Sequence, residues 1–171
     1  MKCCSKRIRP FLPAPSVCKG SPTVQHPSCP LCHDDGGLLI WRGAPLRVIR
    51  AEDAHFPAFY RVIWNAHAAE WTDLNPTERR ICMQAVECVE SALRQHLLAP
   101  LQPSKINLAS LGNVVPHVHW HVIARFDWDS HFPDPVWAAP KRSDAAEKLQ
   151  ALREQLPALD AAIAQALQQA L

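Results

Sequence analysis

Val115-Pro116-His117-Val118-His119-Trp120-His121-Val122-Ile123-Ala124-Arg125 sets three histidines at every second position, with apolar residues in the gaps and after the last. A strand turns successive side chains to opposite faces. Read as a strand, the segment puts His117, His119 and His121 on one face. Val118, Trp120 and Val122 then pack into a core on the other. A chance histidine-rich strand is a poor account of this row, which stands beside an Asn/Gly turn.

Working outward, Lys105-Ile106-Asn107-Leu108-Ala109 alternates and reads as a strand. Ser110-Leu111-Gly112-Asn113 is a turn, so the two strands form an antiparallel pair. Upstream, Asn75-Pro76-Thr77-Glu78 carries a capping residue, a proline suited to the first helical position and a capping-box glutamate. Ile81, Cys82, Ala85, Val86, Val89, Leu93 and Leu97 then recur at helical spacing, until Pro100 and Pro103 forbid continuation. Before the helix, Leu38–Trp41 and Leu46–Ile49 flank a Gly/Pro turn as a hairpin. Tyr60-Arg61-Val62-Ile63-Trp64 is a further strand, followed by Asn65-Ala66-His67. Residues 126–140 are proline-rich and irregular, and their aromatics pack back or cover a pocket. Ser143 then caps a helical pattern that Pro157 restarts or kinks. The expected organisation is a tail over 1–28, a domain over 29–140 and a helical extension over 141–171.

With 171 residues and 48% hydrophobic content, the chain can bury one sizeable core. A formal net charge of +2 gives no large footprint for nucleic acid. No apolar run approaches a membrane span, and the basic start lacks the apolar stretch of a secretory signal. The seven cysteines, odd in number and irregular in spacing, do not look like a secreted disulfide framework. A reducing cytoplasm is expected. The first 28 residues hold scattered prolines and basic residues without periodicity, and read as a flexible tail. Cys29-Pro30-Leu31-Cys32 follows. Two thiolates at this spacing can grip one zinc ion, yet supply only half a site.

Clustered imidazoles titrate near neutral pH and can serve as nucleophile, proton donor and anion binder in one pocket. Alternating histidines can also share a metal. The His-φ-His-φ-His-φ-φ pattern of His117–Ile123 resembles the histidine triad (HIT) signature at every position. Arg61–His67 is similar to that family's strand ending in a histidine, and Thr72–Glu78 to the helix start after it. The likeness covers residues 29–137 or so.

The resemblance implies an α+β fold: an antiparallel sheet with a long helix on one face, extended here by the C-terminal helix, commonly as a homodimer. It implies a nucleotide hydrolase or transferase acting at the α-phosphate, with dinucleoside polyphosphates or nucleoside phosphoramidates as substrates. His119 would be the nucleophile, passing through a nucleotidyl-histidine intermediate. His117 and His121 would set its tautomer, hold phosphate charge or pass a proton. Asn107, Asn113 and the Val114 amide would orient the chain or the phosphate, and Glu52 or Asp53 would meet the ribose. The chemistry needs no cofactor. Some branches bind zinc through residues matching Cys29, Cys32, His67 and His117. The chain departs from the family pattern at Val114, where many relatives carry a hydroxyl, at Phe59, where many carry a histidine, and in a short loop before His117. Those departures motivate a second reading, a nucleotide-binding module with weak catalysis. A third makes the triad mainly a metal ligand set.

Overall fold

The computed structural model describes residues 25–171, so the expectations for residues 1–24 lie outside the described part. Five strands form one antiparallel sheet: β1 Leu38–Arg42, β2 Leu46–Arg50, β3 Phe59–Trp64, β4 Lys105–Ala109 and β5 His119–Arg125. Their order across the sheet is β1-β2-β3-β5-β4. The chain also forms the short helix α1 (Pro30–His33) and the long helices α2 (Pro76–His96) and α3 (Ala146–Ala170). The α+β fold expected from the sequence is present.

Alternation on each strand divides the molecule. Leu46, Val48, Tyr60, Val62, Trp64, Val122 and Ala124 point to one face and are buried there. That face meets α2 through Cys82, Val86, Val89 and Leu93, and α3 through Leu152, Leu156, Leu159, Ile163 and Leu167, all in one core. Asn75 caps α2 as the sequence indicates: its side chain accepts from the Thr77 and Glu78 amides, and Glu78 answers to the Asn75 amide. Asp160 of α3 accepts from Tyr60 (2.7 Å) and from Arg50 (3.2 Å), tying the last helix to the sheet. Burial and the neighbouring carboxylate push the Tyr60 hydroxyl's pKa far up.

Two local expectations are corrected. α3 begins at Ala146 after an uncapped Ala145, so Ser143 does not cap it. It also runs through Pro157 without restarting. The buried Leu156 and Leu159 on either side hold the helix against the core, which offsets the missing hydrogen bond.

The opposite face carries the second apolar cluster, with Ile49, Phe59, Ile63 and Ile123, together with Leu31 from α1. His119, His121 and three arginines belong to this face. No described helix is long and apolar enough to cross a membrane.

Candidate active site

β5 starts at His119, two residues later than the histidine row suggests. The chain makes a tight turn just before it, where the His117 amide donates to the Val115 carbonyl at 2.8 Å. The row therefore splits. His119 and His121 share the strand face, while His117 turns toward α1 and is 1% exposed.

His119 and His121 stand edge to face, with ring centroids 4.8 Å apart. Nδ1 of His119 lies 2.6 Å from the His117 carbonyl. A carbonyl only accepts, so Nδ1 carries the proton and Nε2 keeps its lone pair. Burial lowers the His119 pKa, the bond to His117 works against that, and the Arg61 charge lowers it further. His121 is wedged edge-on between Phe59 (5.3 Å) and Trp137 (5.4 Å). Burial, then the His119 and Arg61 charges, bring its pKa down to about 4. Both shifts favour the neutral imidazole. The two rings line a cavity of about 500 Å³ with Arg61, Asn113, Val114 and Trp137.

The residues expected around a nucleotide are distributed unevenly. Asn113 and Val114 line this cavity, and Val114 is 94% exposed. Glu52 lines a second cavity with Asp34, Asp35 and Arg61. Asp53 spends a carboxylate oxygen on the amides of His55 (2.9 Å) and Phe56 (3.0 Å), which shapes the loop. Asn107 lies outside the histidine cavity, and its side-chain oxygen accepts from Arg125 at 2.7 Å.

His117 joins a different group. Cys29, Cys32, His67 and His117 each offer one ligand atom, and these atoms lie within 4.8 Å of one another. Nδ1 of His117 is 3.4 Å from Cys29 Sγ, and Nδ1 of His67 is 3.4 Å from Cys32 Sγ. Nε2 of His117 lies 2.6 Å from the Trp64 carbonyl, so that nitrogen is the donor and Nδ1 faces the sulfurs with a lone pair. Burial, and then Cys32, raise the Cys29 thiol pKa. Two sulfurs and two imidazole nitrogens this close can hold a metal ion.

Arg61 carries no role in the sequence reading, and Trp137 only that of a loop aromatic that packs back or covers a pocket; both line the histidine cavity. Arg61 had a signal: a charged residue inside the apolar run Tyr60-Val62-Ile63-Trp64, at the parity that faces away from the core. Trp137 had only its place on a proline-rich loop.

Comparison with known proteins agrees with this geometry. The family model for the HIT domain matches residues 41–128, just over half of the chain. The chain belongs to the HIT family. A histidine triad protein from Bradyrhizobium japonicum is 29% identical, with a TM-score of 0.56, covering 72% of this chain and 90% of its own. A histidine triad protein from Marinobacter aquaeolei shares the fold at 22% identity and a TM-score of 0.57, covering 80% and 93%. So does a zinc-bound histidine triad family protein from Mycobacterium smegmatis, at 23% identity and a TM-score of 0.52, covering 79% and 97%. No curated protein matches the chain.

Proposed function

We propose that the chain is a nucleotide phosphohydrolase that breaks a phosphoanhydride or phosphoramidate bond at the α-phosphate. The observation that carries this reading is the His117 carbonyl 2.6 Å from Nδ1 of His119, which leaves Nε2 as the lone-pair nitrogen of a residue lining the cavity. Nε2 attacks phosphorus in line, the bond to the leaving group breaks, and that group departs with a proton drawn from solvent, to which the attacking water later returns one. Water then attacks the phosphoryl–imidazole bond, releasing the nucleoside monophosphate and restoring neutral His119. An alcohol or amine in place of water makes the same intermediate a transferase. His121 offers an N–H to a phosphate oxygen, and Asn113 does so from the loop before β5. Glu52 is the carboxylate for the ribose hydroxyls, since Asp53 is engaged by backbone amides. Asn107 acts at one remove, by orienting Arg125.

His119→Ala is expected to lower turnover of a fluorogenic adenosine phosphoramidate on the order of a thousandfold or more while mononucleotide binding persists. Base-quenched intact-mass spectrometry of the native chain should show a nucleotidyl adduct that the variant lacks. Full activity in the variant removes His119 as nucleophile.

The Cys29, Cys32, His67 and His117 group is proposed to hold zinc. Ideal tetrahedral zinc separates its ligands by about 3.5 Å, and the sulfur–nitrogen distances of 3.4 Å fit that spacing. Bound there, zinc would cross-link α1, the segment after β3 and the turn before β5, with no part in the phosphoryl steps.

A nucleotide-binding module with weak catalysis is the second reading. It is favoured by Val114, which offers no hydroxyl in the cavity, and by Phe59, which packs on His121 where a donor would otherwise stand. A panel of phosphoramidates and dinucleoside polyphosphates that bind without turnover would establish it.

A further inference from the structure

We propose that Arg61 is the phosphate clamp of this site, its guanidinium donating to the non-bridging oxygens of the scissile phosphate. The inference rests on reading the histidine cavity as a nucleotide site. An anionic phosphate in this cavity needs a cationic hydrogen-bonding partner. Arg61 is the one permanently charged side chain among the described residues lining that cavity.

Its placement is fixed by the sheet. Arg61 stands directly opposite His121 across the β3–β5 ladder, and Ile63 stands opposite His119. Opposed side chains of an antiparallel pair are neighbours, and diagonal ones remain within reach of a long side chain. Arg61 thus stands next to His121 and one diagonal from His119. It also lines a second cavity, together with Glu52, so it borders both.

Two other arginines on the same sheet face show what a structural guanidinium looks like here. Arg47 donates to the carbonyls of Leu31, Asp34 and Asp35 and to the Asn65 side chain. Arg125 donates to Asp129, Asn107 and the Asp134 carbonyl. Arg61 differs from both. Its Nε is buried without a partner among the described residues. Its Nη1 reaches only the Gly36 carbonyl, at the limiting distance of 3.5 Å. No described carboxylate forms an ion pair with it. Phe59 backs the guanidinium, 5.3 Å from the ring centroid. A partly buried cation with idle donors is costly unless an anion completes it, and a planar fork matches two phosphate oxygens. Arg61 thereby supplies donors that Val114 and Phe59 do not.

The test uses the full chain, with Arg61→Met removing charge at similar length and Arg61→Lys keeping charge without the fork. Calorimetric titration compares adenosine 5′-monophosphate, adenosine and phenyl phosphate. Arg61→Met should weaken both phosphomonoesters on the order of 30-fold, the strength of a charge-assisted hydrogen-bonded contact, and leave adenosine unchanged. Arg61→Lys should fall between, with the native melting temperature; it carries the test if the methionine variant misfolds. Millimolar guanidinium should restore part of the phosphoramidate kcat/KM of Arg61→Ala. Equal weakening of adenosine and its monophosphate, unaltered phosphomonoester binding in the variants, or a native chain that binds neither phosphomonoester overturns the clamp. A native chain that binds phosphate through Arg61 but never cleaves a phosphoramidate keeps the clamp and sinks the hydrolase reading. Cleavage with phosphate affinity indifferent to Arg61 does the reverse.

Discussion

His121 shows how much one imidazole changes when a fold buries it. Its pKa is brought down to about 4, chiefly by burial and then by the His119 and Arg61 charges. An unfolded chain returns it to about 6.5. Between those values the unfolded chain binds a proton that the folded chain refuses, so stability falls as pH falls through this window and the loss levels off below it. From pH 7 to pH 5 this residue should cost up to about 2 kcal/mol, at roughly 1.4 kcal/mol per pKa unit. Urea unfolding of the native chain and His121→Gln at both pH values measures it. The variant's slope should be shallower, and equal slopes would contradict the burial argument. A second residue-scale outcome concerns Asp129. Its pair with Arg125 is 2% exposed on both sides, with contacts of 2.8 and 3.0 Å. Asp129→Ala strands a buried guanidinium and should cost about 3–5 kcal/mol by denaturant titration. A loss under 1 kcal/mol would mean that water reaches Arg125. The histidine pattern alone marked His119 and His121; that Arg61 Nε has no partner among the described residues was invisible, because it depends on which carboxylates and carbonyls the fold brings near.

Among the elements, α2 was readable in detail. Asn75, Pro76 and Glu78 set its start, and its apolar stripe set the buried face. The strands were placed to within a residue or two by alternation. α3 was harder, since propensity weighs Pro157 as a break while the packed leucines overrule it. Those leucines lie in the same core as the sheet and α2. Leu159, 1% exposed, should therefore cost about 2–5 kcal/mol when changed to Ala. The loss should appear in one transition followed by both fluorescence and circular dichroism. Separate melting of the last helix, with the sheet transition unmoved, would show α3 to be an independent appendage.

At the scale of the whole molecule, the Cys29, Cys32, His67 and His117 group joins segments far apart in sequence. Metal analysis should find about one zinc per chain. Removing it with a strong chelator should lower the melting temperature, as any ligand specific to the folded state would on leaving. Cys29→Ser should lower zinc occupancy, whereas His119→Ala should not; occupancy that depends on His119 instead would reassign the ligands. The sequence by itself determined the sheet, the amphipathic long helix and the histidine pair on β5, because these follow from periodicity and capping along short stretches of chain. Only the tertiary structure decided that His117 leaves the row for the cysteines, that Asp53 serves a turn while Glu52 opens on a cavity, and that Arg61 keeps idle donors beside His121. Those outcomes turn on hydrogen-bond partners and burial contributed by residues distant in the chain, which local patterning does not encode.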